Sequence, residues 1–122
     1  MFAVFRWPAH LEPEERRFLD ALVGALLAAH GADIRKVVLY GSKARGDHGP
    51  YSDTDLLVIT AGSVDLWGPL QEIAGDMEHE YGYPTVLSLQ VCSEEEWEES
   101  GRMGSPFHSE VENEGLVAWQ AR

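Results

Sequence analysis

Phe18, Leu19, Leu22, Val23, Leu26 and Leu27 recur at the three-and-four spacing of one helical face. Glu12-Pro13 ahead of them suits a first turn, because proline lacks an N–H that would be orphaned there and acidic side chains meet the positive end of the helix dipole. Gly31 is placed as the C′ residue that terminates this helix. The period then changes. Residues 37–40 (Val-Val-Leu-Tyr) and 56–59 (Leu-Leu-Val-Ile) are short unbroken apolar runs with the length and β-branched content of buried strands. Ala61-Gly62 reads as a turn, and Ser63 is placed to cap a second long helix with Trp67, Leu70, Ile73, Ala74, Met77 and Tyr81 on its apolar face and Gly82 at its end.

Residues 84–92 alternate, with Leu87, Leu89 and Val91 on one face and Val86, Ser88 and Gln90 on the other, which predicts a third strand. Ser93 followed by Glu96 fits a capping box for a short acidic helix. Ser105-Pro106 opens another helix that ends near Gly115, and residues 116–119 form an apolar tail. Residues 1–11 are aromatic-rich and aperiodic, an arm expected to pack on the body. The order α-β-β-α-β-α-α predicts an α/β (α+β) fold with a small mixed sheet packed by helices, and one domain over residues 1–122.

Composition narrows the partners. A formal net charge of −12 repels phosphate backbones, so direct binding of long nucleic acid is not expected. It suits a basic protein, or a nucleotide whose charge is neutralised by metal. The lone Cys92 excludes an internal disulfide and a cysteine-rich zinc site. No apolar run reaches the roughly 20 residues of a membrane span, and the start lacks the pattern of a signal peptide. The expected compartment is the cytoplasm. Several tryptophans and the apolar tail leave room for self-association or a hetero-complex.

Candidate chemistry lies between the first two strands. Asp53 and Asp55 are two apart, so on a strand they project side by side while Thr54 faces away. Two adjacent carboxylates repel, and a hard divalent ion such as Mg²⁺ or Mn²⁺, sharing its ligands with substrate phosphates, relieves that cost. Gly41-Ser42 supplies a complement. Glycine lets backbone approach a ligand closely, and a helix start with a serine hydroxyl presents donors to a phosphate. Arg45 could reach a phosphate or brace the turn by pairing with an acid.

Gly41-Ser42, ten intervening residues and Asp53-Thr54-Asp55 form a pattern, filled out as Gly-Ser-Lys-Ala-Arg-Gly and then Ser-Asp-Thr-Asp-Leu. It resembles the signature of the minimal nucleotidyltransferases of the DNA polymerase β superfamily. The resemblance implies a palm-like fold and transfer of a nucleoside monophosphate, AMP in the first instance, from a triphosphate to a hydroxyl. It implies Asp53 and Asp55 as catalytic metal ligands, and Gly41, Ser42 and Arg45 as phosphate contacts. Small members of the family accompany helical HEPN proteins, often RNase toxins, and act as antitoxins, some by adenylylating a tyrosine of the toxin. The alternative is a module that binds nucleotide or metal and neutralises its partner by contact alone.

One departure favours that alternative. The superfamily carries a third carboxylate on the strand after the second helix, and residues 85–91 hold no acid. Ser88 is placed at the equivalent position, with Gln90 next. Among the remaining polar residues, Lys43 is expected to point to solvent and His48 to sit loosely in its loop, while His10, His30, His79 and His108 share no ligand spacing. Glu94 to Glu99 reads as a solvated helix face, and Trp97 and Trp119 as core or as part of an exposed patch.

Overall fold

The computed structural model describes residues 5–62 and 64–122. Helix α1 (Pro13–His30) begins with proline and with Glu14 and Glu15 in its first turn. Phe18, Leu19, Leu22, Val23 and Leu26 are fully buried along one face, whereas Leu27 is half-buried. Burying each such side chain stabilises by about 1.5–3 kcal/mol. Gly31 does not end the helix in the left-handed conformation. It stays right-handed (φ −57°, ψ −32°) and leads into a single 3₁₀ turn, Gly31–Asp33, so the chain tightens into the first strand without a left-handed stop.

Strand β1 (Ile34–Tyr40) and strand β2 (Thr54–Thr60) are the centre of a four-stranded sheet ordered β3-β2-β1-β4. They run antiparallel, and β3 (Leu87–Ser93) lies parallel to β2. The fourth strand, β4 (Leu116–Gln120), is the segment expected as an apolar tail; it pairs antiparallel with β1 and closes that side of the sheet. Sequence alone hid it because five residues carry too short a pattern to separate a strand from a tail. The central strands have both faces covered, which is why each reads as an unbroken apolar run. The mixed sheet packed by helices agrees with the predicted fold class.

On one face, α1 and α3 (Trp67–Glu80) cover Val37, Leu39, Leu56, Val58 and Leu89. On the other, α4 (Glu94–Arg102) and α5 (Pro106–Glu114) cover Val38, Tyr40, Leu57 and Ile59 through Trp97, Phe107 and Val111. Trp97 stands edge-on to Phe107 with centroids 6.0 Å apart. Trp119 packs against the first cluster. Both therefore belong to the interior packing. Trp67 does not, being 58% exposed, and Leu66 takes the buried place at the start of α3. The placement of Ser63 as that helix's cap lies outside the described residues.

Ser93 and Glu96 form the expected capping box: the Glu96 N–H donates to Ser93 Oγ (3.1 Å) and the Ser93 N–H donates to Glu96 Oε1 (2.9 Å). Near the amino end, the Arg6 N–H donates to the Ala118 carbonyl, and Trp7 Nε1–H donates to Asp20 (2.7 Å). Among the described residues no helix is long and apolar enough to cross a membrane.

Candidate active site

Gly41, Ser42, Arg45 and Asp53 lie in the connection from β1 to β2 and Asp55 near the start of β2, and the sheet brings the two ends of this stretch together. Gly41 leaves β1 at φ +79° and ψ −160°, a conformation essentially confined to glycine. The short helix α2 (Ser42–Arg45) follows, and Gly46 (φ +86°) ends it. The first N–H groups of a helix have no partner within it, here those of Ser42 and Lys43. The Gly41 carbonyl accepts from Ala44 (3.1 Å) and Arg45 (3.2 Å), which closes the turn behind them.

Asp55 lies opposite Tyr40 across the β1–β2 pair. Its carboxylate rests on Gly41: a Cβ built on that glycine would fall well inside contact of Asp55 Oδ2 and 3.3 Å from its Cγ. Partial burial raises the Asp55 pKa, and the charges of Asp53 and then Glu110 raise it further. Asp53 is exposed and precedes the strand's first residue, Thr54. A hard cation with oxygen ligands fits this pair, because it would offset both the repulsion and the loss of hydration. Among the described residues no three or more His, Cys, Asp or Glu gather around one point as metal ligands.

Ser88 is the register partner of Asp55 on β3, and side chains at paired positions share a face. Ser88, which sequence alone places at the third-acid position, thus stands beside Asp55 and is half-buried. An acid does approach, from a different element. Glu110 on α5 lies near enough for its charge to raise both Asp55 and Tyr40, whose phenol is pushed up to about 12, chiefly by burial. No sequence signal could have found this, because it depends on how α5 crosses the sheet.

Arg45 is 35% exposed and engaged by acids: Nε with Asp47 Oδ2 (3.1 Å), and Nη1 with Glu114 Oε2 (3.0 Å) and Glu110 Oε1 (3.5 Å). It ties the end of α2 to α5.

Lys43 reverses its expected position. It is buried rather than solvated, with Nζ 2.6 Å from Glu15 Oε2 and donating to Thr85 Oγ1 (3.0 Å). Thr54 Oγ1 donates to the same Glu15 oxygen (2.6 Å) and lies 2.7 Å from Thr85 Oγ1. Within α2 the residue after Ser42 faces inward, where α1 presents Glu15. The network joins the residue beside Ser42 to the residue between the two aspartates. A glutamate in the first turn of α1 looks like an ordinary dipole partner in sequence, and only its 8% side-chain exposure marks it.

His48 is not loose either. Its ring packs 5.3 Å from that of His10, and its Nδ1 is buried without a hydrogen-bond partner. His10 Nε2 lies 2.5 Å from the Lys43 carbonyl, so that nitrogen carries the proton it donates. A concavity of about 370 Å³ lies at the far end of the sheet, between Arg35, Glu94, Trp97 and Arg122. It shares no residue with the Gly41–Asp55 connection.

Comparison with known proteins gives this geometry its family. The chain is 31% identical over 105 residues to the "Putative protein adenylyltransferase MJ0604" of Methanocaldococcus jannaschii, covering 86% of this chain and 98% of the relative. The fold is similar to that of a "putative nucleotidyltransferase" from Sulfolobus solfataricus (TM-score 0.57, 16% identity, 88% of this chain and 83% of the other). It is also similar to a toxin–antitoxin structure with AMP-PNP (TM-score 0.57, 18% identity, 84% of this chain and 73% of the other). A further toxin–antitoxin structure, MntA–HpeT, matches with TM-score 0.54 at 18% identity, over 84% of this chain and 73% of the other. The family model of the nucleotidyltransferase domain matches residues 19–110, a span running from α1 through both aspartates into α5, and the chain belongs to that family of nucleotide-transferring enzymes.

Proposed function

We propose that this nucleotidyltransferase moves AMP from Mg²⁺-bound ATP to a hydroxyl of a partner protein, a small helical protein of the HEPN kind, and that it serves as the antitoxin of that pair. The observation that carries the reading is the packing of the Asp55 carboxylate on Gly41 at the head of α2, which sets a metal-binding group against a phosphate-binding turn. The similarity to a protein adenylyltransferase and the fold shared with toxin–antitoxin structures support the acceptor class and the setting.

In this reading Asp53 and Asp55 hold the ion, and Ser42 with the first N–H groups of α2 holds the triphosphate. Gly41 keeps backbone close enough to touch it. Arg45, tied to Glu110 and Glu114, faces the same end of the sheet and steadies the turn. When bound, a divalent ion neutralises charge that develops on the phosphates. The acceptor oxygen attacks the α-phosphorus in line, pyrophosphate leaves, and the hydroxyl proton passes to a nearby base. Ser88 beside Asp55 favours a second reading, a nucleotide-binding module that neutralises by contact.

Incubation of the chain with α-labelled ATP, Mg²⁺ and its partner decides between them. Label is expected on the partner, slowly, and Asp53→Asn with Asp55→Asn should abolish both label and metal-dependent nucleotide binding. Nucleotide binding without label would establish the contact reading; binding unchanged in the double variant would move the site elsewhere. Ser42→Ala should weaken triphosphate binding about tenfold, since a hydrogen bond to a charged group is worth about 1.5–3 kcal/mol. Calorimetry at fixed Mg²⁺ measures it, and unaltered affinity would remove Ser42 from the cradle.

A further inference from the structure

The loop between α2 and β2 ends in a tight turn. The Ser52 N–H donates to the Gly49 carbonyl (3.2 Å), and the Gly49 N–H donates to Ser52 Oγ (2.9 Å), closing residues 49–52 in both directions. Pro50 fills the second corner, where its fixed φ suits the bend. Tyr51 is the other corner, and its side chain stands 94% exposed.

That exposure has no packing purpose. Each of the other tyrosines has an aromatic neighbour: Tyr40 with Phe107 (5.2 Å), Tyr81 with Phe18 (5.9 Å) and Tyr83 with His79 (6.3 Å). Tyr51 has none among the described residues. A tyrosine normally buries much of its ring, because that area is worth more to stability than its hydroxyl's hydration. Here a proline turn with two cross-bonds holds a phenol out in water, two positions before Asp53.

Resting on the function proposed above, we infer that Tyr51 is itself an acceptor, adenylylated by a second copy of this chain. The Tyr51 oxygen forms a bond to the α-phosphorus of ATP. The bond from that phosphorus to the bridging oxygen of the β-phosphate breaks, and pyrophosphate leaves with the electron pair. The phenolic proton is lost to solvent or to a carboxylate of the attacked site. The donor is the second copy because the two bonds of the turn fix the corner that carries Tyr51, and a side chain 94% exposed is open to another molecule. A neighbouring molecule presents the phenol on a projecting corner, free to approach the α-phosphorus in line. Attachment would add a phosphate and a nucleoside two positions ahead of Asp53, bringing negative charge to the loop that leads into β2.

The test uses the full chain with α-labelled ATP and Mg²⁺, a tyrosine-containing peptide as free acceptor, and peptide mass spectrometry. Label is expected on the peptide spanning Tyr51. Tyr51→Phe should cut self-labelling by about tenfold or more, as loss of the only reacting oxygen requires, while leaving nucleotide affinity and peptide labelling unchanged. Mixing Asp55→Asn chains with Tyr51→Phe chains should label the Asp55→Asn chains at Tyr51. Labelled peptide with an unlabelled chain, or label on another residue, overturns the inference and leaves the proposed transfer standing. No label on either acceptor overturns the inference, and labelling of the partner protein then decides the proposed transfer separately. Loss of ATP affinity in Tyr51→Phe would make the phenol a nucleotide contact instead.

Discussion

Gly41→Ala is expected to give a folded protein that has lost nucleotide transfer by about a hundredfold or more, the penalty that an ångström-scale misplacement of reacting groups can bring. Two costs coincide at this position. The backbone conformation, φ +79° and ψ −160°, strains any residue with a Cβ by about 1–3 kcal/mol. The added methyl would also occupy the space of Asp55 Oδ2. The carboxylate can yield by rotating about its own bonds, which spares the fold and ruins the site. Thermal unfolding should therefore fall only modestly while the initial transfer rate collapses. A variant that keeps both its rate and its affinity for ATP would show that Asp55 has no fixed relation to the α2 turn.

Glu15→Ala is expected to destabilise the protein by about 3–5 kcal/mol, because removing one partner of a buried ion pair strands the other charge. The pair is 2.6 Å long with side chains 9% and 8% exposed, so water cannot readily take the place of the lost carboxylate. Thr54 loses its acceptor at the same time. Urea denaturation of the two proteins measures the difference. A loss below about 1 kcal/mol, the scale of a solvated surface pair, would mean that Lys43 finds water once Glu15 is gone. Glu15→Gln keeps an acceptor for Thr54, so it should fall between the two.

Much of the architecture was legible from periodicity. α1, β1, β2 and the capped start of α4 were readable because each is specified locally, by a stripe, an unbroken apolar run or a reciprocal cap. β4 was not, since its identity as a strand comes from its pairing with β1, far away in sequence. The position of Trp67 failed for a related reason: helical spacing says which residues share a face and leaves open whether anything covers the first turn.

Within the candidate site, the Gly-Ser and Asp-x-Asp pattern was visible as residue types, and the structure brings Asp55 of that pattern against Gly41. The burial of Lys43 was not visible. A lysine in a loop is solvated far more often than not, and what buries this one is a glutamate on another element. Glu110 and Arg45 show the same limit, their relation being created by the crossing of α5 over the end of the sheet.

The Glu15–Lys43–Thr54–Thr85 network has a consequence for protein engineering. The stretch from Gly41 to Asp55 is contiguous and invites transplantation as a cassette between two strands of some other scaffold. It is not portable. Its two ends are held in register by Glu15 on α1 and Thr85 ahead of β3, both outside the cassette. A recipient lacking them would receive a lysine with no counter-charge under the turn and a threonine with no acceptor between the aspartates. The same holds for mining new sequences by the motif alone: such a search retrieves the visible half of the apparatus, and an acid at the first turn of the leading helix is the further feature to ask for.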